Sequence, residues 1–321
     1  MYLNTRARAS SFIYQQAREF KGVWLIPDNI CHAVYVDICM AGSTIELMDV
    51  DLESLELDTN KVSDYLKHNQ VAGIVLVRAF GSLKVNYESF FAFIKDHYPE
   101  VYIIDDRCLC FPQFTAPKDT LADMILYSTG YSKVVDLGYG GYCFSKSRLE
   151  TISMDFLESD EEKFDSFFKE SIDTGVPISE QSFKIICDSL WLNHAQVNTS
   201  KYFDELKEKL DLVKLHKTRL NEIYGTINQE MIISPEFNDW RFNIVVGNRS
   251  EVLKKIFEQG LFASHHYYPL GLFFSTQYKS VWNTLREGIL NLFNDLRVTE
   301  EGAIRTVNII NEYGRPFKYD K

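Results

Sequence analysis

The stretch YSTGYSKVVDLGYGG, Tyr127 to Gly141, decides how this chain is read. It sets one lysine, Lys133, after the apolar segment MILYS (Met124 to Ser128). A glycine-rich turn with Gly138, Gly140 and Gly141 follows, and then a second apolar segment, YCFS. MILYS and YCFS read as short strands, and Lys133 falls in irregular backbone beyond the end of the first. A lysine so placed presents an amine to a carbonyl compound. Schiff-base chemistry needs that amine unprotonated part of the time, so the expectation is a pKa lowered by partial burial or a nearby positive charge. Most loop lysines are simply solvated, so the rest of the chain has to raise the odds.

Working outward, the first half alternates two textures. VWLIP, TIELMDVD around Ile45, GIVLVRAFG (Gly73 to Gly81) and VYIIDD (Val101 to Asp106) are apolar, strand-like runs. Between them, Asn29 to Met40, the residues around Leu66, and SFFAFIKDHYPE have helical character. Continuous apolar strands alternating with helices predict an α/β fold with a mostly parallel sheet covered on both faces. Ligands collect at the carboxyl ends of such strands, where Arg78, Asp105, Asp106 and Ser128 stand. From about Ser159 the texture changes. The acidic LESDEEKFDSF reads as the solvated start of a helix. A long amphipathic helix follows over Thr199 to Tyr224, with Phe203, Leu206, Leu210, Val213 and Leu220 on one stripe. RFNIVVG then reads as a strand, SEVLKKIFEQG as a helix ended by Gly260, and LFASHHYYPL as extended. A last helix runs from near Thr299 to before Gly314. The expected division is a large α/β domain over 1–198 and a smaller α+β domain over 199–321.

Composition excludes several classes. The 321 residues are 45% hydrophobic and 25% charged, with a formal net charge of -11, so no basic excess exists to neutralise nucleic-acid phosphates. No apolar run approaches bilayer-spanning length, and the N-terminal MYLNTRARASSF lacks a secretory signal's apolar core, so the expected location is cytoplasmic. Cys31, Cys39, Cys108, Cys110, Cys143 and Cys187 are scattered without zinc-site spacing, and are read as reduced, buried thiols; no metal is expected. Asn198-Thr199-Ser200 matches a glycosylation sequon, which carries no weight without a secretory signal.

These landmarks resemble the DegT/DnrJ-type sugar aminotransferases across nearly the whole chain, most strongly from Leu25 to Ser145. The family motif of serine, four residues, lysine and a run ending Gly-x-Gly-Gly falls on Ser128, Lys133, Gly138, Gly140 and Gly141. The resemblance implies the fold of aspartate aminotransferase (fold type I), with a large, mostly parallel seven-stranded sheet, and pyridoxal phosphate as cofactor. It implies that Lys133 holds the cofactor as a Schiff base and later shuttles a proton. Ser128 would bond the cofactor phosphate, and Asp106, the second of an acidic pair, would face the protonated pyridine nitrogen. Cys108 lies where the family packs a small side chain on one ring face. Where the family usually stacks an aromatic residue on the ring, this chain has Cys31, with His32 next to it. Thr5 and Arg6 match in part the turn that cradles the phosphate. Arg78 stands where histidine is usual, Leu109 where glutamine is usual, and Gly175, Val176 and Pro177 replace an Asn-Tyr-Arg run that reaches the partner subunit. Weaker echoes lie at Ser179–Glu180, Trp240–Arg241 and His266 to Leu270. His266 and Tyr267 match a segment near the family's active site, although a packed strand explains them equally well.

The implied activity is transfer of an amino group, with glutamate as donor, to a nucleotide-linked keto-sugar in surface polysaccharide or deoxyamino-sugar biosynthesis, by a homodimer. Two other readings remain open. A sugar dehydratase of the same fold usually lacks the lysine that this chain keeps. A non-catalytic binding or regulatory protein would account for the missing aromatic, glutamine and asparagine.

Overall fold

The computed structural model describes residues 1–150, 161–188 and 197–318, with side chains described for 1–150, 166–186 and 197–318. The first helices and strands are β1 (Tyr2–Arg6), α1 (Ser10–Glu19), β2 (Val23–Pro27), α2 (His32–Met40), β3 (Thr44–Met48), α3 (Thr59–Leu66) and β4 (Gly73–Val77). Then come α4 (Glu88–His97), β5 (Tyr102–Asp106), β6 (Met124–Ser128), β7 (Gly141–Ser145), α5 (Glu161–Thr174), α6 (Glu180–Asp188) and α7 (Thr199–Tyr224). Among the described residues, seven strands form one sheet in the order β1-β7-β6-β5-β4-β2-β3. β3, β2, β4, β5 and β6 run parallel, and β7 is antiparallel to both of its neighbours, β6 and β1.

Alternation along each central strand explains why both faces are covered. Leu25, Ile74, Leu76, Ile103, Ile125 and Tyr127 point into one core with Val62, Leu66, Phe91 and Ile94 of α3 and α4. Their neighbours Trp24, Ile26, Val75, Ile104, Met124 and Leu126 point into the other, with Phe12, Ile13, Val36 and Ile38 of α1 and α2. Each such side chain, fully buried, contributes about 1.5–3 kcal/mol. Those strands therefore read as unbroken apolar runs. β1 does not. YLNTR is mostly polar and only partly buried, and within the sheet it pairs with β7 alone, so the seventh strand left little hydrophobic signal in the sequence.

The remaining elements are β8 (Phe242–Val245), α8 (Arg249–Glu258), β9 (Ala263–Ser264), α9 (Val281–Arg286), β10 (Ile289–Leu292) and α10 (Glu300–Tyr313). β8, β10 and β9 form a second, antiparallel sheet, packed with α8 and α10 on a separate core around Ile244, Val252, Leu290, Val307 and Ile310. β10 is an element that sequence patterning missed, because ILNL follows Gly288 directly after the short α9. The long α7 starts where expected, capped by the Asn198 side chain, which accepts the Lys201 N–H at 3.0 Å. Its early turns (Tyr202, Leu206, Leu210) pack on the large core, and its last turns (Leu220, Tyr224) pack on the small one. We keep a boundary at 198/199 as a proposed division. The expected solvated helix start lies partly outside the described residues, as does the Cys187 side chain. Of the other cysteines, Cys110 and Cys143 are buried as expected, whereas Cys31, Cys39 and Cys108 are only half-buried, and none of the five is in a disulfide.

One contact ties the end of β2 to the segment before α9. Asp28 accepts the Gly271 N–H at 3.0 Å and the Ser280 hydroxyl at 2.7 Å. It is fully buried. Burial pushes its carboxyl up to about 6 against these hydrogen bonds, with a small upward contribution from Asp49. The folded pKa thus exceeds the ordinary value of 3.8. The native state binds the proton more tightly, and stability falls as pH rises from about 4 through 6. Asp28→Asn preserves the shape and removes the charge. Its stability relative to the parent is expected to rise by about 2–3 kcal/mol between pH 4 and pH 8, read from urea melts at both values. A difference that does not change with pH would contradict this.

Candidate active site

The loop from Thr129 to Gly140 positions Lys133. Asp136 ties its two ends, accepting the Ser132 N–H and the Gly138 N–H, each at 2.9 Å. Ser132 adopts φ +60°, and its carbonyl accepts the Trp240 indole N–H at 2.6 Å. Trp240, just before β8, thus fixes the backbone one residue ahead of the lysine. Gly140, at φ +94°, donates to the Ala7 carbonyl at 2.7 Å and accepts the Thr129 N–H at 3.0 Å. A Cβ on Gly141 would stand 2.5 Å from the Ala9 backbone. The glycines are therefore required for the β1–α1 turn to lie against β6 and β7. In this register Gly141 pairs with Ser128 on one side and Arg6 on the other.

Lys133 is half-buried. Burial works against its ammonium, but the acidic groups of Tyr267, Cys108, Cys31 and Asp106 around it outweigh that effect, and the amine lies above the ordinary lysine value. The expectation of a lowered pKa is therefore corrected. Burial raises the Cys108 thiol and the Tyr267 phenol. Asp106 ends β5, next to β6 in the sheet. Its carboxyl is raised by burial and lowered in part by hydrogen bonds from Cys108 and by the Lys133 charge. The Cys108 N–H reaches Asp106 Oδ1 at 2.8 Å.

The two acids differ completely in surroundings. Asp105 is clamped by Arg78, whose Nε and Nη2 reach its two oxygens at 2.7 and 3.0 Å. Arg107 Nε and Nη2 reach Asp105 Oδ2 at 2.9 and 2.7 Å. Burial alone would raise the Asp105 carboxyl, yet the two guanidiniums hold it below the usual range. Asp105 and Arg78 belong to this buried network, which reaches Glu56 at 3.8 Å from Arg78. Asp106 stands outside that network and lies in the electrostatic field of Lys133.

The structure brings Cys31, Asp106, Cys108 and Lys133 together and adds Tyr267 and His266 from the segment after β9. His266 is exposed, and Cys31, Cys108, Lys133 and Tyr267 are half-buried, which describes a cleft open to solvent above the buried Asp106. Surrounding protein, and the charges of Arg241, His265, His32 and Lys133, push the His266 imidazole below its ordinary value. The His32 ring stacks on Phe168 of α5 at 4.0 Å and meets Phe273 edge-on at 6.2 Å. Of the two candidates for the missing aromatic stack, Cys31 is the one that neighbours Lys133.

Thr5 and Arg6 are not directed toward this cleft. Thr5 Oγ1 bonds Thr199 Oγ1 at 2.8 Å. Arg6 is buried, and donates to the Ser11 carbonyl at 3.0 Å, to Gln15 and to the Glu150 carbonyl at 3.3 Å. Both side chains thus engage neighbouring protein groups, and the N-terminus of α1 follows them directly. Ala9 there offers no side-chain cap, and the first turn holds no acidic residue, so its backbone N–H groups suit an anion. Trp240 and Arg241 belong to the site's wall, which only a faint echo in the sequence signalled.

These residues fit pyridoxal phosphate. A lysine faces a buried carboxylate across adjoining strands, a small thiol lies between them in sequence, and an uncapped helix start packs beside Ser128 and Gly141. Among the described residues, no helix is long and apolar enough to cross a membrane, and no group of three or more metal-ligating side chains occurs.

No family profile and no curated protein matches the sequence. Solved structures do match in three dimensions. A DegT DnrJ EryC1 StrS aminotransferase from Brucella abortus superposes with a TM-score of 0.67 at 15% identity, covering 98% of this chain and 86% of that one. Sugar aminotransferase CalS13 from Micromonospora echinospora gives 0.64 at 15% identity, covering 97% and 87%. PseC of Helicobacter pylori, an aminotransferase involved in the biosynthesis of pseudoaminic acid, gives 0.65 at 12%, covering 97% and 86%. At such identities the likeness is one of fold, and this chain has the fold type I architecture of those aminotransferases.

Proposed function

We propose that this chain is a pyridoxal-phosphate-dependent aminotransferase that moves an amino group from glutamate to a nucleotide-linked keto-sugar, for surface polysaccharide or deoxyamino-sugar synthesis. The observation that carries this reading is Lys133 set opposite buried Asp106 at the carboxyl rim of the sheet, within a fold whose solved examples include sugar aminotransferases. Pyridoxal phosphate, when bound, supplies a carbonyl to receive the amino group and a ring that accepts electrons. Lys133 Nζ would hold it and, when freed, move the proton at the donor's α-carbon. The groups around Lys133 favour its protonated form, so the amine would have to lose a proton before it could act as a nucleophile. Asp106 would keep a proton on the ring nitrogen, and Ser128 with the N-terminus of α1 would hold the phosphate. Cys108, short and uncharged, leaves room for a flat ring beside Asp106, and Cys31 would lie near the opposite wall. The neutral Tyr267 phenol adds a proton donor near Lys133.

We also propose a homodimer, as in the resembling family, although Gly175 to Pro177 offers none of the side chains that reach across there. Retention of the lysine favours amino transfer over a dehydratase reaction. The test is a panel of nucleotide-linked keto-sugars incubated with glutamate and the protein loaded with pyridoxal phosphate, followed by mass spectrometry. The expected product carries an amine in place of the carbonyl oxygen, with 2-oxoglutarate formed in equal amount. Loaded protein that aminates no member of the panel would contradict the proposal.

A further inference from the structure

Three basic side chains gather at one rim of the small sheet. β8 and β9 each pair antiparallel with β10, so they run parallel to one another, and their carboxyl ends lie at the edge where β10 begins. α8 starts at that edge with Arg249, His265 follows β9 there, and Arg286 ends α9 shortly before β10. Arg249 Nη1 donates to the Arg286 carbonyl and so ties the two arginines together. The Arg286 guanidinium lies 4.5 Å from the centroid of the Tyr268 ring, which covers one of its faces. His265 lies in the field of both guanidiniums.

This cluster lacks a counter-charge. Among the described residues neither guanidinium forms an ion pair, and the bond from Arg249 is the one side-chain hydrogen bond that either of them donates. Arg286 Nε is enclosed by protein and donates to nothing. Glu287, next to Arg286 in sequence, is the acid in their field, and it is exposed. Burial, and after it the Arg286 charge, lowers the Arg249 guanidinium to about 10. Burial also lowers Arg286, and burial with the two arginines holds the His265 imidazole below its ordinary value. Half-buried like charges repel and give up hydration, so a fold that collects them without acids is relieved by an anion.

The start of α8 adds to the same rim. Asn248 caps no backbone N–H there. Its amide donates to Glu251 and to the Tyr313 carbonyl at 2.7 and 2.9 Å, and its oxygen accepts the Arg315 N–H at 3.0 Å. The positive end of the helix dipole is left at this edge.

We propose that this rim is an anion site, held by Arg249 and Arg286 with His265 near them, and that it takes a phosphoryl group. A planar carboxylate is satisfied by one guanidinium fork, whereas two guanidiniums from different elements suit a tetrahedral anion with more oxygens. The charge of a phosphoryl group near neutral pH, close to two, matches the pair of arginines. Free phosphate and a nucleoside diphosphate both present that group. The site is separate from Lys133 and does not depend on the function proposed above.

The test is calorimetric titration of inorganic phosphate, uridine diphosphate and glutarate into protein loaded with pyridoxal phosphate, so that the cofactor's own phosphate seat is filled. Arg249→Met, Arg286→Met and Arg249→Lys variants are treated alike. The expected result is phosphate binding to the parent, weakened at least about tenfold by either methionine, the worth of one charge-assisted hydrogen bond. Arg249→Lys, which keeps charge but not the fork, falls between, and glutarate affinity stays the same throughout. Uridine diphosphate that binds more tightly than phosphate, and loses that gain in the methionine variants, identifies a nucleotide as the source. Phosphate that binds more tightly identifies the free ion. Circular dichroism establishes folding, and Arg249→Lys decides the question if the methionine variants do not fold. Phosphate affinity unchanged in the variants, a parent that binds neither phosphate nor uridine diphosphate, or an equal loss for glutarate each overturns the assignment. Failure to take up pyridoxal phosphate would count against the proposed activity alone, and the difference between parent and variants as purified then reads the rim.

Discussion

Lys133→Ala is expected to abolish amino transfer while the protein stays folded. The loss of rate should reach about 10²–10⁴-fold or more, because the variant removes the group proposed to move the α-proton. The fold should tolerate the change. Lys133 is half-buried at an open cleft, and its ammonium makes no hydrogen bond among the described residues. The loop around it is fixed by Asp136 and by the Trp240 bond to Ser132, neither of which uses the lysine side chain. Thermal unfolding should shift by no more than about 1 kcal/mol in stability. Single-turnover deamination of glutamate by loaded protein measures the chemistry. Turnover that survives the substitution would place the amine elsewhere.

Asparagine at 105 and asparagine at 106 should fail in opposite ways. Asp105→Asn leaves two buried guanidiniums, Arg78 and Arg107, facing an amide that can satisfy only part of their donors. Breaking a buried ion pair from one side costs about 3–5 kcal/mol. A large fall in the urea midpoint is therefore expected, and cofactor affinity per folded molecule should change little. Asp106→Asn removes a carboxylate that burial already penalises, so stability should hold or rise slightly. Pyridoxal phosphate affinity should fall by about 10- to 100-fold, with slower proton abstraction, as one charge-assisted hydrogen bond is lost. Stability melts beside equilibrium cofactor titration separate the two. Equal losses of cofactor affinity would mean that the wrong acid had been chosen.

How much of this was legible in the chain depended on range. MILYS, VYIIDD and GIVLVRAFG announced themselves as buried strands because both of their faces meet apolar cores. The helix Thr199–Tyr224 was legible at both ends from its apolar stripe. β1 was not, since a partly buried edge strand such as YLNTR is held by backbone pairing that leaves little hydrophobic pattern. At the site, Lys133, Ser128, Asp106 and Cys108 were singled out through the family resemblance, whose motifs fall on two strand ends and one loop. The sign of the lysine's pKa could not. It depends on Tyr267, brought in from more than a hundred residues away, and on Asp106 from the next strand. Arg6, taken from a partial match to the family's phosphate turn, donates to Ser11 and Gln15, contacts that its sequence position did not announce.

The most direct measurement is borohydride reduction of protein incubated with pyridoxal phosphate, followed by proteolysis and mass mapping of every lysine-bearing peptide. A phosphopyridoxyl group fixed to position 133, absent from the alanine variant, is the predicted result. Label spread over surface lysines, or none retained at 133, would contradict an imine-forming amine at the rim of this sheet.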